Sequence, residues 1–110
     1  MKVISLLNFK GGVGKTTSTH SIASGLNLKG KKVLVIDMDP QGTLTFFSKG
    51  DKKLNGDTRE ILFHEKTIIE ATTSGEEFDF IGSNIKLATS EILLNNGYNK
   101  EQKLKKAIDK

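Results

Sequence analysis

Residues 10–17 read KGGVGKTT, and this glycine-rich stretch decides the fold of the 110-residue chain. The run before it, MKVISLLN at residues 1–8, is short and mostly apolar, which predicts a strand buried on both faces of a parallel sheet. The pattern after it predicts a helix over residues 17–29 that ends at Gly30. Its less polar positions at helical spacing are Ile22, Ala23 and Leu26. A glycine-rich loop between a strand and a helix N-terminus is a cradle for phosphate groups.

The loop matches the end of the general phosphate-binding pattern G-x-x-x-x-G-K-[ST] and departs from its beginning. Phe9 stands where the pattern has its first glycine, and Lys10 follows. In such a cradle Lys15 reaches the β- and γ-phosphates, while the Thr16 hydroxyl binds a bridging magnesium ion. Thr17 is predicted to contact the α-phosphate. The full set of expected nucleotide contacts is Gly11, Gly12, Val13, Gly14, Lys15, Thr16 and Thr17.

A second stretch, KKVLVIDMDPQG at residues 31–42, ends an apolar run in two carboxylates. Residues 33–36 predict a buried strand, and ligands of an open α/β sheet bind outside the carboxyl ends of its strands. Asp37 and Asp39 are therefore expected at the same edge as the glycine-rich loop, where carboxylates can meet magnesium or water. An Asp after a strand also commonly starts a turn or caps a helix, so the pair alone supports either interpretation.

Together the two stretches resemble the ParA/MinD family of P-loop ATPases. That family has a deviant Walker A motif, which lacks the first glycine and carries the lysine found here as Lys10. DMDPQGTLT at residues 37–45 resembles the ParA-type switch I segment D-x-D-P-Q-G-N-x-T, with Thr43 in place of Asn. The resemblance implies an α/β fold, with a P-loop NTPase-like parallel sheet flanked by helices. It also implies that residues 1–110 are the N-terminal part of a single, larger doubly wound ATPase domain.

The resemblance implies a role for each polar residue. Asp39 would position or activate the attacking water, and Asp37 would hold the magnesium shell through water. Lys10 would reach across a nucleotide-sandwiched dimer to the phosphates of the partner subunit, where a positioned cation stabilises the transferring phosphoryl group. Without the resemblance, a solvated loop lysine is the favoured interpretation of Lys10. The expected catalytic residues are thus Lys10, Lys15 and Asp39, with ATP and Mg²⁺ as cofactors.

The leading hypothesis is an ATP-hydrolysing protein of the ParA type that acts in plasmid or chromosome partitioning. By the resemblance, ATP makes it a homodimer, and the full-length protein has a centromere-binding ParB-like protein and non-specific DNA as partners. One alternative is another deviant-Walker NTPase, either MinD-like or an iron-sulfur carrier. The other is a nucleotide-binding module without turnover, because no Walker B strand is recognised in the sequence.

Composition sets further limits. The sequence has no cysteine, which suits a reducing cytoplasm and excludes a disulfide framework and a thiolate metal site. No apolar run approaches about 18 residues, so no membrane span is expected. The formal net charge is +4, from 17 Lys plus Arg against 13 Asp plus Glu. The lysine runs that produce it are read as solvated faces rather than as a DNA-binding surface.

The rest of the chain predicts short elements. Helices are expected over residues 58–64 and 67–71, a strand over 78–82, a helix running through Leu94 and a last amphipathic helix reaching Lys110. The apolar residues expected to face inward in the two short helices are Ile61, Leu62, Ile68 and Ile69. Phenylalanines expected in the core are Phe46, Phe47, Phe63, Phe78 and Phe80. His20 and His64 lack a second ligand at metal spacing, and His20 is assigned a surface or packing role.

Overall fold

The computed structural model describes residues 2–6, 15–39, 41–50, 52–83 and 100–109. In chain order the elements are α1 Lys15–Leu28, β1 Leu34–Ile36, α2 Thr43–Lys49, α3 Thr58–Leu62, α4 Ile68–Ala71, β2 Asp79–Ile81 and α5 Lys100–Ile108. The two strands pair in parallel, with Val35 opposite Phe80. The predicted α/β class is therefore confirmed, because a parallel sheet carries helices between and beside its strands.

Different helices cover the two faces of this sheet, because side chains alternate along a strand. The first core cluster joins the sheet to α1 and α2 and consists of Ala23, Val35, Leu44, Phe78 and Phe80. The second joins it to α3, α4 and α5 and consists of Ile61, Ala71 and Ile81, with Ile36, Ile68 and Leu104 packed against them. The sheet thus lies between two helical layers, as predicted.

The helix α1 ends at the predicted glycine. Gly30 has a φ of 80°, and its N–H donates to the Asn27 carbonyl at 2.9 Å. The next N–H, of Lys31, donates to the Leu26 carbonyl at 3.1 Å. This pair of hydrogen bonds is a Schellman motif, which satisfies the last carbonyls of the helix and requires a residue that tolerates positive φ. The chain then turns back into β1.

The helix α3 begins with a capping box that the sequence spells as D-x-x-E. The Asp57 carboxylate accepts a hydrogen bond from the Glu60 N–H at 2.9 Å, and the Glu60 carboxylate accepts one from the Asp57 N–H at 3.1 Å. Both bonds satisfy amides that lack partners within the helix. The helix that follows buries Ile61 and Leu62 completely, at 0% exposure, as predicted.

The strand predicted at the start of the chain is not observed. Residues 2–6 form no regular element, and Val3 and Ile4 are 66% and 67% exposed. A strand of a parallel sheet is buried only when neighbouring strands pair with it and helices cover its faces. The two strands that the described residues form pair with each other, not with this segment.

Several apolar side chains expected in the core are exposed. They are Phe46 at 71%, Phe47 at 68% and Ile69 at 87%, and Ile22, one of the less polar positions of α1, is 43% exposed. Ile22, Phe46 and Ile69 each lie beside a residue that packs into the core, and adjacent residues of a helix point about 100° apart. In α2, for example, Leu44 and Thr45 are buried against the sheet, and Phe46 and Phe47 project outward. The predicted helix through Leu94 lies outside the described residues.

His20 has the packing role that the sequence assigned to it. Its ring meets the ring of Phe78 edge to face, with the centroids 5.4 Å apart. Phe78 and Phe80 are buried, as expected, and Phe63 is half-buried. Among the described helices, none is long and apolar enough to cross a bilayer.

Candidate functional site

The phosphate-binding loop is only partly within the described residues. Lys10, Gly11, Gly12, Val13 and Gly14 lie outside them, so their predicted roles stay predictions. Lys15 is the first residue of α1, and Thr16 and Thr17 occupy its first turn, half-buried and exposed respectively. The helix therefore begins where the pattern requires its N-terminus to meet an anion.

Asp37 follows β1 directly and extends the sheet. Its N–H donates to the Ile81 carbonyl at 3.0 Å, so the hydrogen-bond ladder continues one residue beyond the strand. Asp37 is only 6% exposed. A carboxylate buried to this degree is costly to the folded state unless hydrogen-bond donors surround it.

The Asp37 carboxylate has such donors. Oδ1 accepts a hydrogen bond from the Asp39 N–H at 3.0 Å. Oδ2 accepts two from Thr45, one from its N–H at 3.1 Å and one from its hydroxyl at 2.5 Å. Hydrogen bonds to a carboxylate are stronger than those between neutral groups. The local chain therefore fixes the position of both oxygens.

Asp39 is half-buried and organises the turn that follows. Its Oδ1 accepts a hydrogen bond from the Gln41 N–H at 3.0 Å, and its carbonyl accepts one from the Gly42 N–H at 2.9 Å. Asp37 and Asp39 thus each accept from the amide two residues ahead, which is the Asx-turn geometry. We call Asp37, Asp39, Gln41 and Gly42 the acidic loop.

Gly42 is required where the acidic loop meets α2. Its φ is 64°, in the left-handed region that side chains rarely adopt. A Cβ at this position would lie 3.3 Å from the Ser83 carbonyl oxygen, on the chain that follows β2. The glycine of the DPQG pattern therefore permits both the turn and the close approach of these two segments.

Two buried threonines support the acidic loop, and the sequence reasoning assigned neither of them a role. Thr45 is 5% exposed and binds the Asp37 carboxylate. Thr58 is completely buried, and its hydroxyl donates to the Asp37 carbonyl. Thr45 could have been noticed, because it is the last position of the switch I pattern. Thr58 carries no comparable signal, since it follows a helix cap in a segment without a motif.

The arrangement offers oxygen ligands and no imidazole or thiolate site. In the ranges that the structure describes, no three His, Cys, Asp or Glu side chains cluster closely enough to hold a metal ion by themselves. Asp37 and Asp39 are brought together, each with its carboxylate held by backbone amides. Carboxylate oxygens are ligands that Mg²⁺ prefers, and this ion commonly shares its coordination with water or a bound ligand.

Comparison with known proteins identifies the family. A family model described as AAA domain matches residues 1–110. The sporulation initiation inhibitor protein Soj of Bacillus subtilis is 37% identical over 112 residues, which cover 98% of this chain and 44% of Soj. The chromosome partitioning protein ParA of Caulobacter vibrioides is 30% identical over 112 residues, covering 99% of this chain and 42% of that protein. The chain thus spans less than half the length of these relatives.

Solved structures agree with the sequence relatives. A cobyrinic acid a,c-diamide synthase from Mycobacterium smegmatis, crystallised with an ATP analog and magnesium, superposes with a TM-score of 0.83 at 36% identity, over 94% of this chain and 43% of that one. A plasmid partition protein from Borrelia burgdorferi superposes with a TM-score of 0.78 at 28% identity, over 94% and 48%. The chain therefore belongs to the AAA domain family, and its relatives there include proteins of the ParA and Soj type.

Proposed function

We propose that this chain carries the nucleotide-binding part of a ParA-type ATPase, which acts in DNA partitioning through an ATP-dependent sandwich dimer. The observation that carries the proposal is the acidic loop at the end of β1, where a buried Asp37 and a less buried Asp39 are held in consecutive turns. Its DPQG sequence belongs to the ParA pattern. The similarity to Soj and ParA supports the same function.

The loop at residues 10–17 binds the nucleotide phosphates in this proposal. The backbone N–H groups of Gly11 to Gly14 are the proposed donors to the phosphate oxygens, and the N-terminus of α1 adds partial positive charge. Lys15 contributes a full charge to the β- and γ-phosphates, and Thr17 contacts the α-phosphate. The start of α1 at Lys15 supports these roles.

ATP and Mg²⁺ are the proposed cofactors, and the described donors fit them. The Thr16 hydroxyl and the Asp37 carboxylate are oxygen ligands of the kind that Mg²⁺ prefers. Within the described contacts, Asp37 Oδ1 accepts a single hydrogen bond, and a carboxylate oxygen can accept a second one from a metal-bound water. When bound, the ion neutralises negative charge on the phosphates.

Two residues complete the proposed catalysis. Asp39 is less buried than Asp37 and lies beyond it in the same loop, which suits a residue that orients the attacking water. Lys10 reaches the phosphates of the partner subunit and stabilises the transferring phosphoryl group. Dimerisation is then part of catalysis, and a ParB-like protein and non-specific DNA are the proposed partners of the dimer.

A second candidate function follows from the structural comparison. The cobyrinic acid a,c-diamide synthase superposes with a higher TM-score than the plasmid partition protein, 0.83 against 0.78. An ATP-dependent synthase acting on cobyrinic acid would use the same phosphate loop. ATP turnover that depends on cobyrinic acid would support this candidate, whereas turnover stimulated by DNA would support partitioning.

The ATPase proposal is tested by two substitutions in the complete gene product. Lys15→Ala removes a charged phosphate contact and is expected to weaken Mg-ATP binding by about tenfold or more. Asp39→Ala removes the group that orients water and is expected to lower kcat by about 100-fold or more, with ATP still bound. Binding is measured by calorimetry, and turnover by phosphate release.

Lys29→Ala is the matched control, because it removes an exposed lysine just beyond the opposite end of the same helix. It is expected to leave both binding and turnover unchanged. Equal ATP affinity of the Lys15→Ala and Lys29→Ala variants would contradict the assignment of the phosphate loop. Full turnover by Asp39→Ala would contradict the assignment of the catalytic Asp.

A further inference from the structure

Thr45 occupies a junction between the acidic loop and the end of the second strand. It lies in the first turn of α2, is 5% exposed, and supplies two hydrogen bonds to the same oxygen of Asp37. Its hydroxyl oxygen also accepts a hydrogen bond from the Ser83 N–H at 2.9 Å. One hydroxyl therefore connects the carboxylate after β1 with the backbone after β2.

The backbone contact of Thr45 explains why Asp37 points toward α2. The residue before this helix is Gly42, which has no side chain to cap it. The Asp37 carboxylate accepts the Thr45 N–H instead, so it satisfies one of the amides that a helix N-terminus leaves without an internal partner. Any movement of this carboxylate therefore disturbs the hydrogen bond that caps the start of α2.

The methyl group of Thr45 is also tightly packed. A Cβ added to Gly82, the residue after β2, would lie 2.7 Å from the Thr45 Cγ2 atom. Glycine at position 82 thus lets the Thr45 methyl approach the end of the strand. With the methyl on this side, the hydroxyl lies between its acceptor, Asp37, and its donor, the Ser83 N–H.

We propose that Thr45 is the positioning residue that fixes the Asp37 carboxylate, the proposed holder of the magnesium shell, and couples it to the chain after β2 through Ser83. This inference rests on the proposed ATPase function and names a residue which acts through Asp37. Binding of nucleotide changes the interactions that the Asp37 carboxylate makes. Thr45 transmits this change to the chain after β2, because its hydroxyl donates to Asp37 and accepts from the Ser83 N–H at the same time.

Two variants of the complete gene product separate the hydroxyl from the methyl. Thr45→Val keeps the shape and removes the hydroxyl, whereas Thr45→Ser keeps the hydroxyl and removes the methyl. Thr45→Val is expected to lower kcat for ATP by about tenfold or more, with KM changed less than about twofold, since the lost interaction positions a group for the reaction. Thr45→Ser is expected to restore most of the rate.

A second measurement does not depend on turnover. In the nucleotide-free protein, amide hydrogen exchange at Ser83 is expected to be about tenfold faster in Thr45→Val than in the wild type or Thr45→Ser. Adding Mg²⁺ and a non-hydrolysable ATP analog should shift the Ser83 amide resonance in the wild type and Thr45→Ser, but not in Thr45→Val.

The outcomes separate this inference from the proposed function. If the wild type hydrolyses ATP and Thr45→Val does so equally well, the ATPase assignment stands and the role of Thr45 is overturned. Equal losses in Thr45→Val and Thr45→Ser would also overturn it, because they would assign the effect to packing. A wild type that neither binds nor hydrolyses ATP would refute the proposed function and this inference together.

Discussion

Thr45 and Thr58 hold the residue after β1 through different groups. Thr45 binds the Asp37 carboxylate, while the Thr58 hydroxyl donates to the Asp37 carbonyl and lies 3.0 Å from the Gly82 carbonyl. The Thr58 N–H donates to Gly82 as well, at 2.7 Å. Thr45 thus holds the side chain of Asp37, and Thr58 holds its main chain. The contact of Thr58 with the carbonyl has a structural role, which the free energy of unfolding can test.

Replacing Thr58 by valine is expected to destabilise the fold by roughly 2 kcal/mol. The substitution keeps the side-chain shape, but it removes the donor that the buried Asp37 carbonyl uses, and an unsatisfied buried polar group costs about 1–3 kcal/mol. Thr58→Ser keeps the donor and loses one buried methyl, worth about 1 kcal/mol. Urea unfolding followed by circular dichroism measures the free energy of unfolding of both variants. A Thr58→Val variant as stable as the wild type would contradict the structural role of the Thr58 hydroxyl.

The sequence predicted the acidic residues of the candidate site but not the residues that hold them in place. The positions of Asp37 and Asp39 after a strand could be predicted because an apolar run ends in them. The carboxyl ends of parallel strands lie at one sheet edge, where ligands bind. Thr58 could not be predicted, because its role depends on the contact between α3 and the ends of both strands. A residue 21 positions away from its hydrogen-bond acceptor leaves no local pattern.

At the scale of elements, local signals decided which predictions held. Gly30 at the end of α1 and Asp57 at the start of α3 act through neighbours within a few residues, so a sequence pattern contains the whole motif. The helix α2 was not predicted. Its first turn depends on Asp37, at the end of β1, which accepts the Thr45 N–H, and this contact exists only after β1 and α2 come together.

The capping box of α3 makes the stability of this element testable. Asp57→Ala removes the acceptor for the Glu60 N–H and is expected to cost about 1 kcal/mol. Asp57→Asn keeps an acceptor oxygen at the same place and is expected to cost much less. The midpoint of thermal unfolding compares the two, and equal losses would mean that charge rather than capping gives Asp57 its contribution.

At the scale of the whole molecule, the order of elements was easier to predict than the exposure of side chains. The parallel pairing of β1 and β2 followed from apolar runs separated by helical patterns. The exposure of Val3, Ile4 and the pair Phe46 and Phe47 did not follow. An apolar side chain is buried only where another element covers it, and a single segment of sequence does not contain that information.

The central claim, a ParA-type ATPase that works as a nucleotide-dependent dimer, is tested most directly by sedimentation velocity. The complete gene product is compared with its Lys10→Ala variant, each with Mg²⁺ and a non-hydrolysable ATP analog. The wild type is expected to shift from monomer to dimer with nucleotide. The Lys10→Ala variant is expected to bind nucleotide but to stay monomeric. A wild type that remains monomeric, or a Lys10→Ala variant that dimerises as the wild type does, would contradict the central claim.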